Sequence, residues 1–234
     1  MFNHIAVIGC GAIGQAMVNV LRHHYPEATL RTFNRSTHAP VGVSEHVTID
    51  YQDEQQLFDA AHQCQDLDLV LITNGILHQD HIQPEKSIKD LTREQFHTVF
   101  DVNTITPLMI AKYWLPKLLK SKPAIFAALS ARVGSIGDNQ LGGWYAYRAS
   151  KAALNMMIKN LSIEAQRMHP NQMVIGLHPG TVDSPLSSPF KARIHPDHIF
   201  TPMQSAEYLH QVLCNLKPEN SGHCLDWQGQ IIEH

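Results

Sequence analysis

Short apolar runs alternate along the chain with longer segments whose apolar residues recur every three or four positions. "HIAVIGCG" reads as a buried strand entering a glycine turn, and "GQAMVNVLRHHY" as the helix that follows. "TLRTFNRS" and "EHVTIDY" predict the second and third strands, "EQQLFDAAHQC" a helix and "LDLVLITNG" a fourth strand. The stretch from "TREQF" to "LPKLLK" is mostly helical, with Pro107 and Pro116 as expected breaks or bends. "PAIFAALSA" is a fifth strand, Tyr147 to about Met168 a long helix, and "QMVIGLHPG" a sixth strand. A helix in "SAEYLHQVLCNL" and a final strand in "GHCLDWQGQII" complete the pattern. The strands are apolar on both faces, as in a parallel sheet covered on both sides. Such alternation predicts one doubly wound α/β domain over residues 1–234, with a parallel sheet of about seven strands. Asp183 to Gln204 is long, non-periodic and proline-rich, and loops of that kind often act as lids.

Composition narrows the partners. The formal net charge is -3, which gives no footing for nucleic acid or a membrane surface. No apolar run approaches the roughly 20 residues that span a bilayer. The N-terminus goes into an apolar strand without a basic leader, so a cytoplasmic location is expected. Cys10, Cys64, Cys214 and Cys224 are scattered and form no CxxC pair, which suits reduced thiols. The 16 histidines show no metal-ligand spacing, so no metal is expected.

Four places carry candidate chemistry. Gly9, Gly11 and Gly14 make a GxGxxG between a strand and a helix, where backbone can approach a pyrophosphate at a helix N-terminus. A tight turn with no ligand is the plainer alternative. At the end of the second strand, Asn34–Arg35–Ser36 stands where an acid would hold a ribose 2′-hydroxyl, and an arginine there suits a 2′-phosphate. Arg35 can equally be a solvated loop charge. Asp50, ending the third strand, can meet an adenine edge or cap the next helix. Finally, Tyr147 and Lys151 lie at i and i+4, one turn apart on one helix face.

Taken in order along nearly the whole chain, four features resemble the short-chain dehydrogenase/reductase family. They are the glycine turn, "VNTITP" around Asn103, Tyr147-Arg-Ala-Ser-Lys151, and "PGTVDS" from Pro179 to Ser184. "GGWYAYRASKAALNM" and "GHCLDWQGQ" are similar to the C-factor-like, carbonyl-reductase-like branch. The resemblance implies a Rossmann fold, an NAD(P)(H) cofactor and reversible carbonyl/alcohol chemistry. Arg35, with no acid at Asn34, makes NADP(H) the expected cofactor over NAD(H), and a small or medium aldehyde or ketone is the expected substrate. The resemblance makes Tyr147 the general acid. Lys151 would lower the phenol's pKa from about 10 and hold the nicotinamide ribose. Asn103 would support a water-linked proton relay. Gly9, Gly11, Ile13 and Gly14, with Asn74 and Gly75, would line the cofactor. Val182, through its backbone, and Ser184 would hold its carboxamide, with Pro179 and Gly180 also against the cofactor. A homodimer or homotetramer is implied, with Ile110, Tyr113, Trp114, Met156 and Met157 as apolar helix surface.

Two departures stand out. The glycine turn is one residue shorter than the family's usual TGxxxGxG, and the family's carbonyl-polarising serine falls on Ala131. Ser130 should point away from Ala131, which leaves Ser135 as the candidate donor or else as a turn cap. Residues 184–203 would be the substrate loop, with Phe190, Ile199, Phe200 and Met203 facing substrate or anchoring the loop. The alternative to a working reductase is a cofactor-binding signalling protein with vestigial turnover.

Overall fold

The computed structural model describes residues 2–79, 81–189 and 199–233; Phe190 lies outside them. Its strands are β1 (His4–Ile8), β2 (Thr29–Asn34), β3 (Glu45–Thr48), β4 (Leu69–Ile72), β5 (Ala124–Leu129), β6 (Gln172–His178), β7 (Thr181–Val182), β8 (Ile199–Phe200), β9 (Cys224–Asp226) and β10 (Ile231–Ile232). The helices are α1 (Ala12–His24), α2 (Glu54–His62), α3 (Arg93–Phe100), α4 (Thr106–Trp114), α5 (Tyr145–Met168) and α6 (Pro202–Cys214).

Eight strands form the main sheet in the order β10-β9-β6-β5-β4-β1-β2-β3. All neighbours are parallel except β9 and β10. The doubly wound fold is therefore as expected, with one strand more than the estimate. "GHCLDWQGQII" is not one strand: Asp226 Oδ1 accepts from the amides of Gln228 and Gln230, and the chain folds back as an antiparallel pair.

Alternation along each strand splits the core into two layers. Ile5 and Val7 pack beneath α1 and α6, while Ala6 and Ile8 join the layer under α2, α4 and α5. Trp114 is fully buried in the second layer, its ring edge-on to Phe33 with 5.4 Å between centroids.

The helical stretch after β4 is interrupted, but not at Pro107. A π-helical turn, Asp101–Ile105, separates α3 from α4, and Pro107 sits in the first turn of α4, where no amide is needed. Helix α5 begins at Tyr145, two residues before the expected start. β1 has β2 on one side and β4 on the other. The chain order reverses there, and a crevice opens at the carboxyl ends of the strands.

Candidate active site

That crevice is a cleft of about 1200 Å³, lined by Gly9, Gly11, Asn34, Arg35, Ser36, Asp50, Asn74 and Gly75 among others. The glycine turn is built for close approach. Gly9 has φ +94°, and a Cβ there would lie 2.9 Å from Asn74 N and from Thr73 Oγ1. Thr73 donates its hydroxyl proton to Gly9 O at 2.7 Å and pins the turn to β4. A Cβ at Gly14 would meet Gly9 O and Thr73 Oγ1, so Gly14 closes the turn without lining the cleft. A Cβ at Gly11 would meet nothing within 4 Å. The open face is thus at the N-cap of α1, where a phosphate is favoured. Ile13 packs partly against the α1 and α6 core and is not in the cleft lining.

At the rim, Asn34 is buried and folds back, its Oδ1 accepting from Ser36 N at 2.6 Å. This fixes the bend that leaves Arg35 exposed over the cleft. Asp50 does not cap α2. Asp53 does, accepting from the amides of Gln55 and Gln56, while Asp50 Oδ1 accepts from Gln52 N at 3.0 Å.

The inner end is tighter. Asn103 is fully buried in the π-helical turn, a local widening that aims its amide at the loop after β4. Its Oδ1 accepts from Ile76 N and its Nδ2 donates to Ile76 O, both at 2.8 Å. Nδ2 also reaches Ser150 Oγ at 3.1 Å, and Ser150 donates to Tyr147 O at 2.8 Å. One chain of bonds therefore ties the loop after β4 to α5. A Cβ at Gly75 would lie 3.4 Å from Asn103 Oδ1 and 3.5 Å from Lys151 Nζ, which brings these three predicted residues together.

Lys151 is 4% exposed, and its Nζ donates to Leu129 O at 2.9 Å. Burial pushes its pKa down to about 8. Its Nζ is 6.0 Å from the centre of the Tyr147 ring. The phenol is pushed up to about 12 by burial, opposite to the expected lowering. The reason is geometric: the ammonium is bonded to the end of β5, so desolvation outweighs its field at the phenol.

Ser130 Oγ donates to Asn155 Oδ1 at 2.6 Å, inside the protein. Ala131 follows in extended backbone, φ -154° and ψ 145°, and offers no hydroxyl. Ser135 is 2% exposed, and its Oγ accepts from Asp138 N at 3.1 Å, so it closes a turn. A hydroxyl that accepts one bond still has its proton to donate.

Pro179 follows β6, whose Leu177 is the register partner of Leu129 on β5. Ser205 Oγ donates to Pro179 O at 2.8 Å. Gly180 has φ +75°, and a Cβ there would strike the Phe200 ring at 2.6 Å. Val182 is buried in β7, paired with β8, and its O accepts from Ser187 Oγ. Ser184 O accepts the amides of Ser187 and Ser188. Phe200 packs against Tyr208 and Trp227, so it anchors the loop, while Met203 is 44% exposed. Among the described residues no hydrogen bond joins Val182 or Ser184 to Tyr147.

Several site residues carried little signal in the sequence. Thr73 and Ser150 act through hydrogen bonds that no spacing reveals. Glu85, 2% exposed, bonds the first turn of α5 from a loop about sixty residues earlier, an ordinary-looking acid in a polar run. Elsewhere, His24, Glu207 and His210 hold possible ligand atoms within 4.8 Å of one another. Each has a protein partner, His24 with Glu207 and His210 with Tyr25, and the two imidazoles stack face to face.

Comparisons with known proteins agree with this fold. C-signal of Myxococcus xanthus is 33% identical over 147 residues, 62% of this chain and 82% of that protein. The carbonyl reductase Sniffer of D. melanogaster superposes with a TM-score of 0.86 at 22% identity, covering 100% of both chains. An NADPH-bound carbonyl reductase from chicken fatty liver gives 0.81 at 22% identity, with 99% of each chain covered. Residues 3–194 match the family described as short chain dehydrogenase, and the chain belongs to that family.

Proposed function

We propose that the protein is an NADPH-preferring reductase of small or medium aldehydes and ketones, with Tyr147 as general acid and Lys151 beside it. The observation that carries this reading is the buried Lys151 ammonium, one helical turn from Tyr147 and against Gly75 at the inner end of the cleft. The cleft fits the cofactor. The glycine turn leaves room where side chains would clash, and the buried Asn74 Oδ1 has no hydrogen-bond partner among the described residues. Gly9, Gly11, Asn74 and Gly75 would hold the cofactor, with Arg35 on the 2′-phosphate. Val182 and Ser184 would hold the carboxamide. When bound, the nicotinamide supplies the hydride.

The chain's own residues manage the proton. Reduction needs an acid that keeps its proton at neutral pH, which a phenol does; its rise to about 12 makes that proton harder to give up, and the Lys151 ammonium works against this. Tyr147 delivers that proton to the carbonyl oxygen. Lys151 then favours the resulting phenolate, the more so because it is shielded from water. Asn103 holds the loop after β4 in place for this exchange. Ser135 is the second donor to the carbonyl oxygen in place of Ala131.

Exposed Met156 (58%) and Ile163 (39%) on α5 fit a homodimer or tetramer face; Ile110 and Trp114 are buried and contribute nothing to it. NADPH oxidation with a panel of carbonyl compounds tests the reading. Tight NADPH binding without turnover on any of them would favour a cofactor-binding signalling role. Ala131 in place of the serine is the observation behind that second reading.

A further inference from the structure

The start of α5 is unusual in its backbone. Gly142, Gly143 and Trp144 have φ of 62°, 64° and 51°, three left-handed residues in a row. Two are glycines, which accept this conformation freely. The third is a bulky aromatic that resists it. Trp144 is also the N-cap of α5, and its side chain makes no cap hydrogen bond. Backbone in such a region persists only where its surroundings over-determine it.

Glu85 supplies that constraint. Its backbone O accepts from Trp144 N at 2.6 Å, and its carboxylate accepts from Ala146 N at 3.2 and 3.3 Å. A buried carboxylate thus caps the positive end of the helix from another loop. A Cβ at Gly143 would come within 3.3 Å of Glu85 O, so the glycine lets the two strands of backbone meet. The loop bearing Glu85 is itself fixed, since Ile82 packs with Val99 and Ala146.

The product of this arrangement is the position of the indole. The Trp144 ring sits 6.2 Å from the Tyr147 ring, with the planes at 73°. Two flat rings at a steep angle make a corner beside the proton donor. A flat, conjugated group lying against one ring presents its edge to the other, the geometry aromatic pairs favour. A flexible alkyl chain gains no such directional contact.

We propose that Trp144, held in left-handed backbone by Glu85, is a specificity-determining wall of the carbonyl site and selects aromatic aldehydes and ketones over aliphatic ones. Glu85 is the positioning residue for that wall. This rests on the carbonyl-reductase reading above.

The test compares benzaldehyde with heptanal, which have the same number of carbons, in the unmodified protein, Trp144→Phe and Trp144→Leu. Both variants demand the same left-handed backbone, so they differ in flatness and not in strain. The ratio of kcat/KM for benzaldehyde to heptanal is expected to stay within about threefold in Trp144→Phe and to fall about tenfold in Trp144→Leu. An equal ratio in all three proteins overturns the inference while leaving the reductase reading intact. If neither aldehyde is turned over, that reading fails, and titration of benzyl alcohol followed by ligand-observed NMR decides the inference alone. Weaker benzyl alcohol binding in Trp144→Leu than in Trp144→Phe supports the wall; equal binding, or none to any of the three, overturns it. Glu85→Gln keeps one side-chain acceptor for Ala146 N and the backbone O for Trp144 N, and should keep the ratio; Glu85→Ala, if it folds, should lower it.

Discussion

Lys151 and Arg35 are both cations at the same cleft, yet their surroundings differ. Lys151 is 4% exposed, bonded to Leu129 O, and flanked by an asparagine whose side-chain bonds all go to protein groups. Arg35 is exposed on a loop and makes no ion pair with a described carboxylate. The inner corner is dry and pre-arranged. The rim is wet and takes its shape from short turns such as Asn34 Oδ1 to Ser36 N. In a dry corner a charge is worth more to a developing transition state and more costly to hold. At a wet rim a charge selects a ligand modestly and is screened by salt. Substitutions should therefore divide by location, with large effects on turnover inside and small effects on cofactor choice outside.

The steepest expected effect is Tyr147→Phe. It removes a proton donor and little volume, so NADPH binding should be nearly unchanged while kcat falls about 10²- to 10⁴-fold. Stopped-flow binding and steady-state rates separate the two. Tyr145, 39% exposed, is the control, and a larger loss in Tyr145→Phe would falsify the assignment.

Lys151→Met should damage turnover and cofactor affinity together, and it should also stabilise the fold. The lysine's folded pKa is lowered to about 8, below the unfolded value near 10.4. Below pH 8 the buried ammonium carries its full cost. Between about 8 and 10.4 the unfolded chain binds more protons than the folded one, so the parent gains stability as pH rises. The variant should be the more stable at pH 7, by on the order of a few kcal/mol. The gap should close towards pH 10, as read by urea unfolding. In the parent, kcat/KM for reduction should decline above pH 8 as Lys151 loses its charge. A variant less stable than the parent at pH 7 would mean that the ammonium's bond to Leu129 O outweighs its desolvation.

These two residues were legible in the sequence because an i, i+4 pair declares itself. The sheet was legible because apolar runs such as "AVI" and "LVLI" fill both faces of a strand. What stayed hidden has a common cause. β10 is two residues long, too short for any period. The π-helical turn at Asp101–Ile105 differs from an α-helix by one residue of hydrogen-bond register, which no side chain announces. The phenol's raised pKa depends on burial and on where the Lys151 ammonium points, neither visible from spacing. Nothing in the sequence marked Gly142, Gly143, Trp144 and Glu85 as parts of one left-handed turn.

Arg35→Ala sharpens the rim half of the comparison. Charge-assisted bonds to a phosphate contribute roughly 1.5–3 kcal/mol each, so the expected preference of kcat/KM for NADPH over NADH is about tenfold or more. The substitution should erase it and spare the NADH rate. Because Arg35 is exposed, the preference should also shrink as salt rises from 0.05 to 0.5 M, in line with a Debye length of about 10 Å at 0.1 M. Equal use of both cofactors by the parent protein sinks the assignment.

The smallest expected effect lies beside the inner corner, at Ala131 and Ser135, next to Gly134, which packs on Lys151. Ala131 has extended backbone that accepts any residue, so Ala131→Ser adds a hydroxyl at the family's position without strain. Ser135 already spends a lone pair on Asp138 N and is 2% exposed, so as a donor to substrate it is constrained. A well-placed donor of this kind is worth about 10²- to 10³-fold in kcat, and a turn-bound one should be worth less. Ser135→Ala is expected to lower kcat by less than about tenfold and to cost about 1 kcal/mol of stability through the lost turn bond. The two variants together decide the role. If Ser135 donates to the carbonyl oxygen, Ala131→Ser should restore the kcat lost in Ser135→Ala while leaving the stability loss in place. If Ser135 only closes its turn, kcat in Ser135→Ala should equal the parent's, and Ala131→Ser should raise both by the same factor.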